Sequence, residues 1–271
     1  MPLYEQNVEA MMNSAFSPQI TVVLAFILFY CIDFGLKSFA SLSKVRNKDA
    51  YELTRLRNYT LSVVHAFAAG IYSLYCLIVS RDLLGDMISA ESEAAYHLLG
   101  FSTGYFIHDV YHNVCCRICL RSIEIILHHV AVVLCFVVVM ECRILVLYAI
   151  FGLLMELNSI FLHARQIMLH LGVDPQSFVY RINASINVAS FIVFRLILGG
   201  FLYTWAIANR HRIPYVIALI LIGSFTLFIL MNFVLFWRVL ASDRRILNDR
   251  QLFKAKEKSW TRGWTTLNHG S

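Results

Sequence analysis

The stretch IHDVYHNVCCRICLRSIEIILHH, residues 107–129, brings together four histidines (His108, His112, His128 and His129), three cysteines and the acids Asp109 and Glu124. These residue types could serve a metal, a redox centre or a proton-transfer site. A di-iron oxygenase needs several histidine boxes of the H-x3-H and H-x2-H-H kinds, with about eight ligands in all. His108 and His112 fit the first box, but Ile125 stands where the second needs histidine, and there is no third box. Zinc would draw on His112, Cys115, Cys116 and Cys119. Adjacent cysteines project apart, however, and so short a segment would have to fold tightly to supply a tetrahedron. No metal is assigned on this reading. The cysteines are taken as reduced thiols beside a membrane, with S-palmitoylation as the second reading because Arg117 and Arg121 flank them. Histidine with a carboxylate remains. An imidazole oriented by a carboxylate takes a proton from a hydroxyl or amine nucleophile, or accepts an acyl group itself. Acyl transfer between a thioester and a lipid fits that set, although a pocket that only binds lipid does not forbid it.

The elements that must position these groups are long and apolar. Hydrophobic residues make up 59% of the 271 and charged residues 15%, against roughly 45–50% and about 25% in soluble domains. That excess is too large for a soluble core and implies a membrane protein. Seven cysteines in a chain of this length imply no disulfide framework. Seven apolar segments, about 19–39, 61–80, 95–113, 123–140, 144–163, 184–206 and 214–237, approach the ~20 residues that a bilayer demands. Prolines 2, 18 and 175 fall outside them and Pro214 stands at the first position of the last, as continuous helices require. The fold class is therefore an all-α multi-pass membrane protein with seven transmembrane helices.

Most of the 23 basic residues lie in the connections after the first, third and fifth spans and in the C-terminal tail. The rule that basic loops stay cytosolic then puts the N-terminus outside and the C-terminus in the cytosol. Arg210 and Arg212 dissent. The sequons at Asn58 and Asn183 fall on the cytosolic side and are expected to stay unmodified. The first 17 residues are acidic rather than basic, so no cleavable signal peptide is visible.

Ionisable groups inside hydrocarbon are costly and mark function by default. At 1.5 Å per residue, His65, His108 and His128 each lie about 6–8 Å inside the cytosolic boundary, with Glu156 roughly 12 Å and Arg195 about 16 Å deep. Ser102, Tyr105, Asp109 and His112 share one helical stripe, as do Gly152, Glu156, Ser159 and His163. His128 and His129 are about 100° apart on their helix, so one is expected to face a pocket and the other a neighbouring helix. The candidate catalytic residues are His108, Asp109, His128, His129 and Glu156. His65, Tyr105, Asn158 and Arg195 are the candidate lining of a lipid pocket. Asp33, near the end of span one beside Lys37, is read as structural.

The segments STGYFIHDVYH, IEIILHHVAVV, LLMELNSIFLHARQIM and VYRINASINVASFIVFRL resemble the TLC-domain family, which includes the ceramide synthases. The resemblance runs over about residues 55–240. It divides the chain into 1–54 (extracellular tail, first helix and basic cytosolic loop), 55–240 (TLC domain) and 241–271 (basic cytosolic tail). It implies six helices ringed around a lipid-accessible cavity, plus one more. It also implies a plasma-membrane protein, or alternatively one of the ER, that regulates phospholipid acyl composition and so membrane fluidity. Membrane phospholipids and fatty-acyl chains would be its partners and acyl-CoA its co-substrate, with no cofactor otherwise assigned. No nucleic-acid partner is expected, and a homo-oligomer stays open. Ceramide synthases carry a His-His pair, matched by His128 and His129, followed by a His-Asp-x-x-Asp run. Span five offers Glu156, Asn158 and His163 in place of that run, so sphingoid-base N-acylation is the second reading. A transporter or receptor is a third, weakened by the absence of paired helix breaks or a repeat.

Overall fold

The computed structural model describes residues 17–42, 49–79, 86–115 and 123–268, with side chains over all of these except 40–42 and 246–268. The chain divides into two units, Met1–Ile229 and Leu230–Ser271. Among the described residues the regular structure is helical. The helices are α1 (Pro18–Leu42), α2 (Ala50–Val79), α3 (Glu93–Cys115), α4 (Ile123–Cys142), α5 (Val146–Leu153), α6 (Glu156–His170), α7 (Phe178–Ser190), α8 (Leu198–Ala208) and α9 (Tyr215–Asn268). A π-helical stretch, Phe191–Ile197, joins α7 to α8. The second unit contains the remainder of α9 from Leu230 onward.

Local sequence explains where these helices start and stop. Pro18 takes the first position of α1, where a missing N–H costs nothing. Ser177 caps α7 by accepting a hydrogen bond from the Tyr180 amide at 3.3 Å. Gly172 ends α6 with φ +75°. There the Val173 amide bonds to the Met168 carbonyl (2.9 Å) and the Gly172 amide to that of Leu169 (3.1 Å), a C-terminal closure that favours glycine.

Among the described residues, six helical segments are long and apolar enough to cross a membrane: Pro18–Phe39, Ala50–Val79, Ile123–Cys142, Val146–His170, Phe178–Ala208 and Tyr215–Arg245. The seventh expected span corresponds to α3, which has the length (23 residues) but not the apolarity. Its buried face carries Ser102, Thr103, His108, Asp109, His112 and Asn113. Those groups escape lipid because α3 packs against α1, α2, α4 and α5.

Three spans differ in detail from the sequence reading. The second begins at Ala50 rather than 61, so Arg55 and Arg57 ride on a helix instead of a connection. In the fifth, i→i−3 bonds from Leu157 and Asn158 replace the regular ladder between α5 and α6, so Gly152 and Glu156 do not share one uninterrupted helix. The sixth runs from Phe178 to Ala208 and contains the π turn, which composition does not signal.

Candidate functional site

Helix α4 presents His128 and His129 in different directions, and they meet different neighbours. His129 turns toward α3, where its Nδ1 lies 2.8 Å from Asp109 Oδ2. Asp109 is 2% exposed and also accepts a hydrogen bond from Asn113 Nδ2 at 2.9 Å. Its carboxylate is thus held from two sides, one of them on its own helix. The His129 contact is close but off the hydrogen-bond line, since Nδ1 has no in-line acceptor. Phe106 packs on the His129 ring at 4.9 Å between centroids.

His128 faces a cavity, with its ring 5.3 Å from both His129 and Phe228. The cavity leaves about 650 Å³ of space, part of it open to the outside, between α3, α4, α5, α6, the π stretch and the first-unit part of α9. Its walls are apolar, with Phe106, Val132, Phe136, Leu153, Phe225 and Phe228 among them. His128, Glu156, Arg195 and Ser224 supply its polar side chains. Glu156 opens α6, directly after the interrupted turn, so its carboxylate lies at a helix N-terminus where the backbone favours negative charge. Arg195 comes from the π stretch and donates to Ser159 Oγ at 2.8 Å. The interrupted turn and the π turn therefore place the carboxylate and the guanidinium on one cavity.

The other sequence candidates lie elsewhere. His65 is fully buried, stacked on Tyr105 at 3.9 Å and 8°, and neither ring nitrogen has a hydrogen-bond partner. Tyr105 donates to Ser62 Oγ at 2.9 Å. These two tie α2 to α3 and are not on the cavity lining. Asn158 ties α6 to α7, donating to the Asn187 carbonyl (3.0 Å), Asn187 Oδ1 (3.1 Å) and Ser190 Oγ (3.0 Å). His108 turns away from the cavity toward Phe26 and Phe29 of α1. Cys116 and Cys119 lie outside the described residues, while Cys115 is exposed.

Sequence reasoning missed a second polar cluster. Asp33 is paired with Arg57, Nε to Oδ1 at 2.9 Å and a terminal nitrogen to Oδ2 at 3.2 Å. His112 Nδ1 lies 3.4 Å from Asp33 Oδ2. Donor atoms of Asp33, His108 and His112 all fall within 4.8 Å of one another. The H-x3-H spacing was the available signal, but Lys37, four residues after Asp33, supplied a simpler account of the acid. Asn113 and Ser224 were also missed, because a lone small polar residue on a helix carries no distinctive spacing, whereas Ser159 was placed on the Glu156 stripe but not named as a site residue.

A family model described as the TLC domain matches residues 55–241. The zebrafish (Danio rerio) TLC domain-containing protein 2 is 33% identical over 204 residues, covering 74% of this chain and 82% of the relative. The human (Homo sapiens) TLC domain-containing protein 1 is 29% identical over 195 residues, covering 72% and 78%. The human TLC domain-containing protein 2 is 26% identical over 211 residues, covering 77% and 78%. The chain belongs to the TLC-domain family, as a multi-pass membrane protein in contact with membrane lipids.

Proposed function

We propose that this TLC-domain protein regulates the acyl composition of membrane phospholipids, and so membrane fluidity, by acyl transfer in the His128 cavity. One observation carries the reading: an apolar cavity is lined by an imidazole, a carboxylate and a guanidinium. An acyl-CoA would place its chain along the apolar wall and its thioester carbonyl beside His128. His128 takes the proton from a lysophospholipid hydroxyl as that oxygen bonds to the carbonyl carbon. The C–S bond breaks, and the proton passes from His128 to the departing thiolate. Arg195 offers a positive charge for the carbonyl oxygen as it becomes anionic, or for a phosphate. Glu156 orients the positively charged imidazole or guanidinium beside it. Asp109 and His129 act behind His128 as positioning residues that fix α4 against α3.

Sphingoid-base N-acylation is the second reading, favoured by the His128–His129 pair. It is weakened because α6 offers Glu156, Asn158 and His163 where a His-Asp-x-x-Asp run would stand. The proposed compartment is the plasma membrane, with the ER as the alternative.

The test supplies purified protein with an acyl-CoA and either a lysophospholipid or a sphingoid base. The expected result is turnover on lysophospholipid that falls about 100-fold or more in His128→Ala, the usual worth of a positioned base. Glu156→Ala is expected to lose activity as well. Turnover only on the sphingoid base moves the assignment to the second reading. No turnover at all, with cellular lipid changes persisting in both variants, replaces acyl transfer with a non-enzymatic lipid regulator.

A further inference from the structure

We propose that Asp33, His108 and His112 form a divalent-metal site, suited to Zn²⁺, that fastens α1 to the TLC domain. The two histidines are one helical turn apart on α3 and face α1, which contributes Asp33. They are buried, at 1% and 3% exposure. His108 Nδ1 has no hydrogen-bond partner, an unusual state for a buried imidazole nitrogen. His112 turns its Nδ1 toward Asp33.

The spacing is compatible with a shared ion. His112 Nδ1 and Asp33 Oδ2 are 3.4 Å apart. Two ligands bound to one zinc at about 2.0–2.1 Å with tetrahedral angles lie about 3.3–3.4 Å apart. The widest donor separation in the triad, 4.8 Å at most, has to close by about 1.5 Å to reach that edge. Side-chain rotation can supply this.

Arg57 does not remove the acid from this role. Its Nε bonds to Oδ1 and leaves Oδ2 toward His112, although a terminal nitrogen also lies 3.2 Å from Oδ2. A ligating carboxylate ordinarily carries such an outer hydrogen bond, which orients it. Two imidazoles and one carboxylate are borderline donors that suit zinc and leave a fourth position open. Because Arg57 already offsets the Asp33 charge, that fourth ligand is a water, a hydroxide or an anionic group.

The location gives the ion its role. The family match begins at residue 55, beyond α1, and Asp33 is the donor from α1. The ion would join the helix outside the domain to α3 within it. His108 and His112 do not line the His128 cavity, so the proposal stands apart from the acyl-transfer reading.

The test measures metal content in the full-length protein purified from zinc-replete cells without chelator. The expected result is zinc at roughly one per chain, lost in both His108→Gln and His112→Gln. The chelator-treated wild type, titrated with Co²⁺, is expected to develop the visible ligand-field bands of a tetrahedral site. It is also expected to melt at a lower temperature than the zinc-loaded form. The Co²⁺ titration needs only wild-type protein, so poor folding of a variant does not blunt the test. Zinc well below one per chain and unchanged in the variants, with no Co²⁺ bands from the wild type, overturns the proposal. The cluster is then an ion pair that joins α1, α2 and α3.

Discussion

Asp109 and His128 differ in what their removal exposes. Asp109 is buried and answers to two groups, His129 Nδ1 and Asn113 Nδ2. Truncating it leaves both without a counterpart in a dry interior. Removing one member of a buried pair costs about 3–5 kcal/mol, so Asp109→Ala is expected to melt well below the wild type in detergent. His128 faces open space, so His128→Ala is expected to keep the wild-type melting temperature while losing turnover. Thermal unfolding followed by tryptophan fluorescence checks both. Equal melting temperatures for the two variants would deny Asp109 its anchoring role. Helical geometry alone separates His128 from His129 by about 100°, so their divergence was legible in the sequence. Which of them meets Asp109 was not. That depends on the register of α3 against α4, and no local pattern records the register between two helices.

At the scale of elements, the approach of α1 to α3 depends on two glycines. A Cβ added at Gly104 would collide with the Val22 carbonyl and lie 2.7 Å from Ala25 Cβ. One added at Gly100 would lie 2.6 Å from the Pro18 carbonyl. Small residues four apart let helix backbones approach closely in a membrane, where packing rather than water expulsion holds helices together. Gly104→Ala would meet backbone that cannot rotate aside, and overpacking of this kind costs about 1–3 kcal/mol. Gly35, on α1, is the matched control. A Cβ there meets nothing within 4 Å, and alanine is the better helix former by up to about 1 kcal/mol. Gly104→Ala is therefore expected to lower the yield of monodisperse protein and its melting temperature, whereas Gly35→Ala leaves both unchanged or higher. Size-exclusion profiles and thermal scans of the two variants decide it. Apolar runs and proline positions made the helices legible. The interrupted turn before Glu156 and the π turn that carries Arg195 were not, because a glycine near a helix irregularity, such as Gly152 or Gly199, does not by itself mark one.

For the whole molecule, the open question is which side of the membrane each loop faces, and the structure alters how that should be tested. Both natural sequons lie within helices. Asn58 lies within α2, where its carbonyl accepts a hydrogen bond from Ser62. Asn183 lies within α7 and donates its side-chain nitrogen to the Phe161 carbonyl at 3.0 Å. Tags outside the helices therefore read the topology more directly than these sites do. Of the two basic residues that dissented from the charge rule, Arg212 has an acidic partner. Arg212 pairs with Asp86 at 3.1 Å, and Arg143 pairs with Glu93 at 3.2 Å while covering the Tyr96 ring. Paired arginines at one end of the first unit weigh less against the excess of Lys and Arg on the other connections. The N-out, C-in arrangement thus remains the proposal. It would turn the acyl-CoA side of the membrane toward His128, which the sequence places about 6–8 Å from the cytosolic boundary. An exposed Asn-X-Thr tag before Met1 is expected to be glycosylated, and the same tag after Ser271 is expected to stay unmodified. A deglycosylase-sensitive gel shift reads the result. A shift with the C-terminal tag alone would reverse the arrangement and place the His128 end away from the cytosolic acyl-CoA pool.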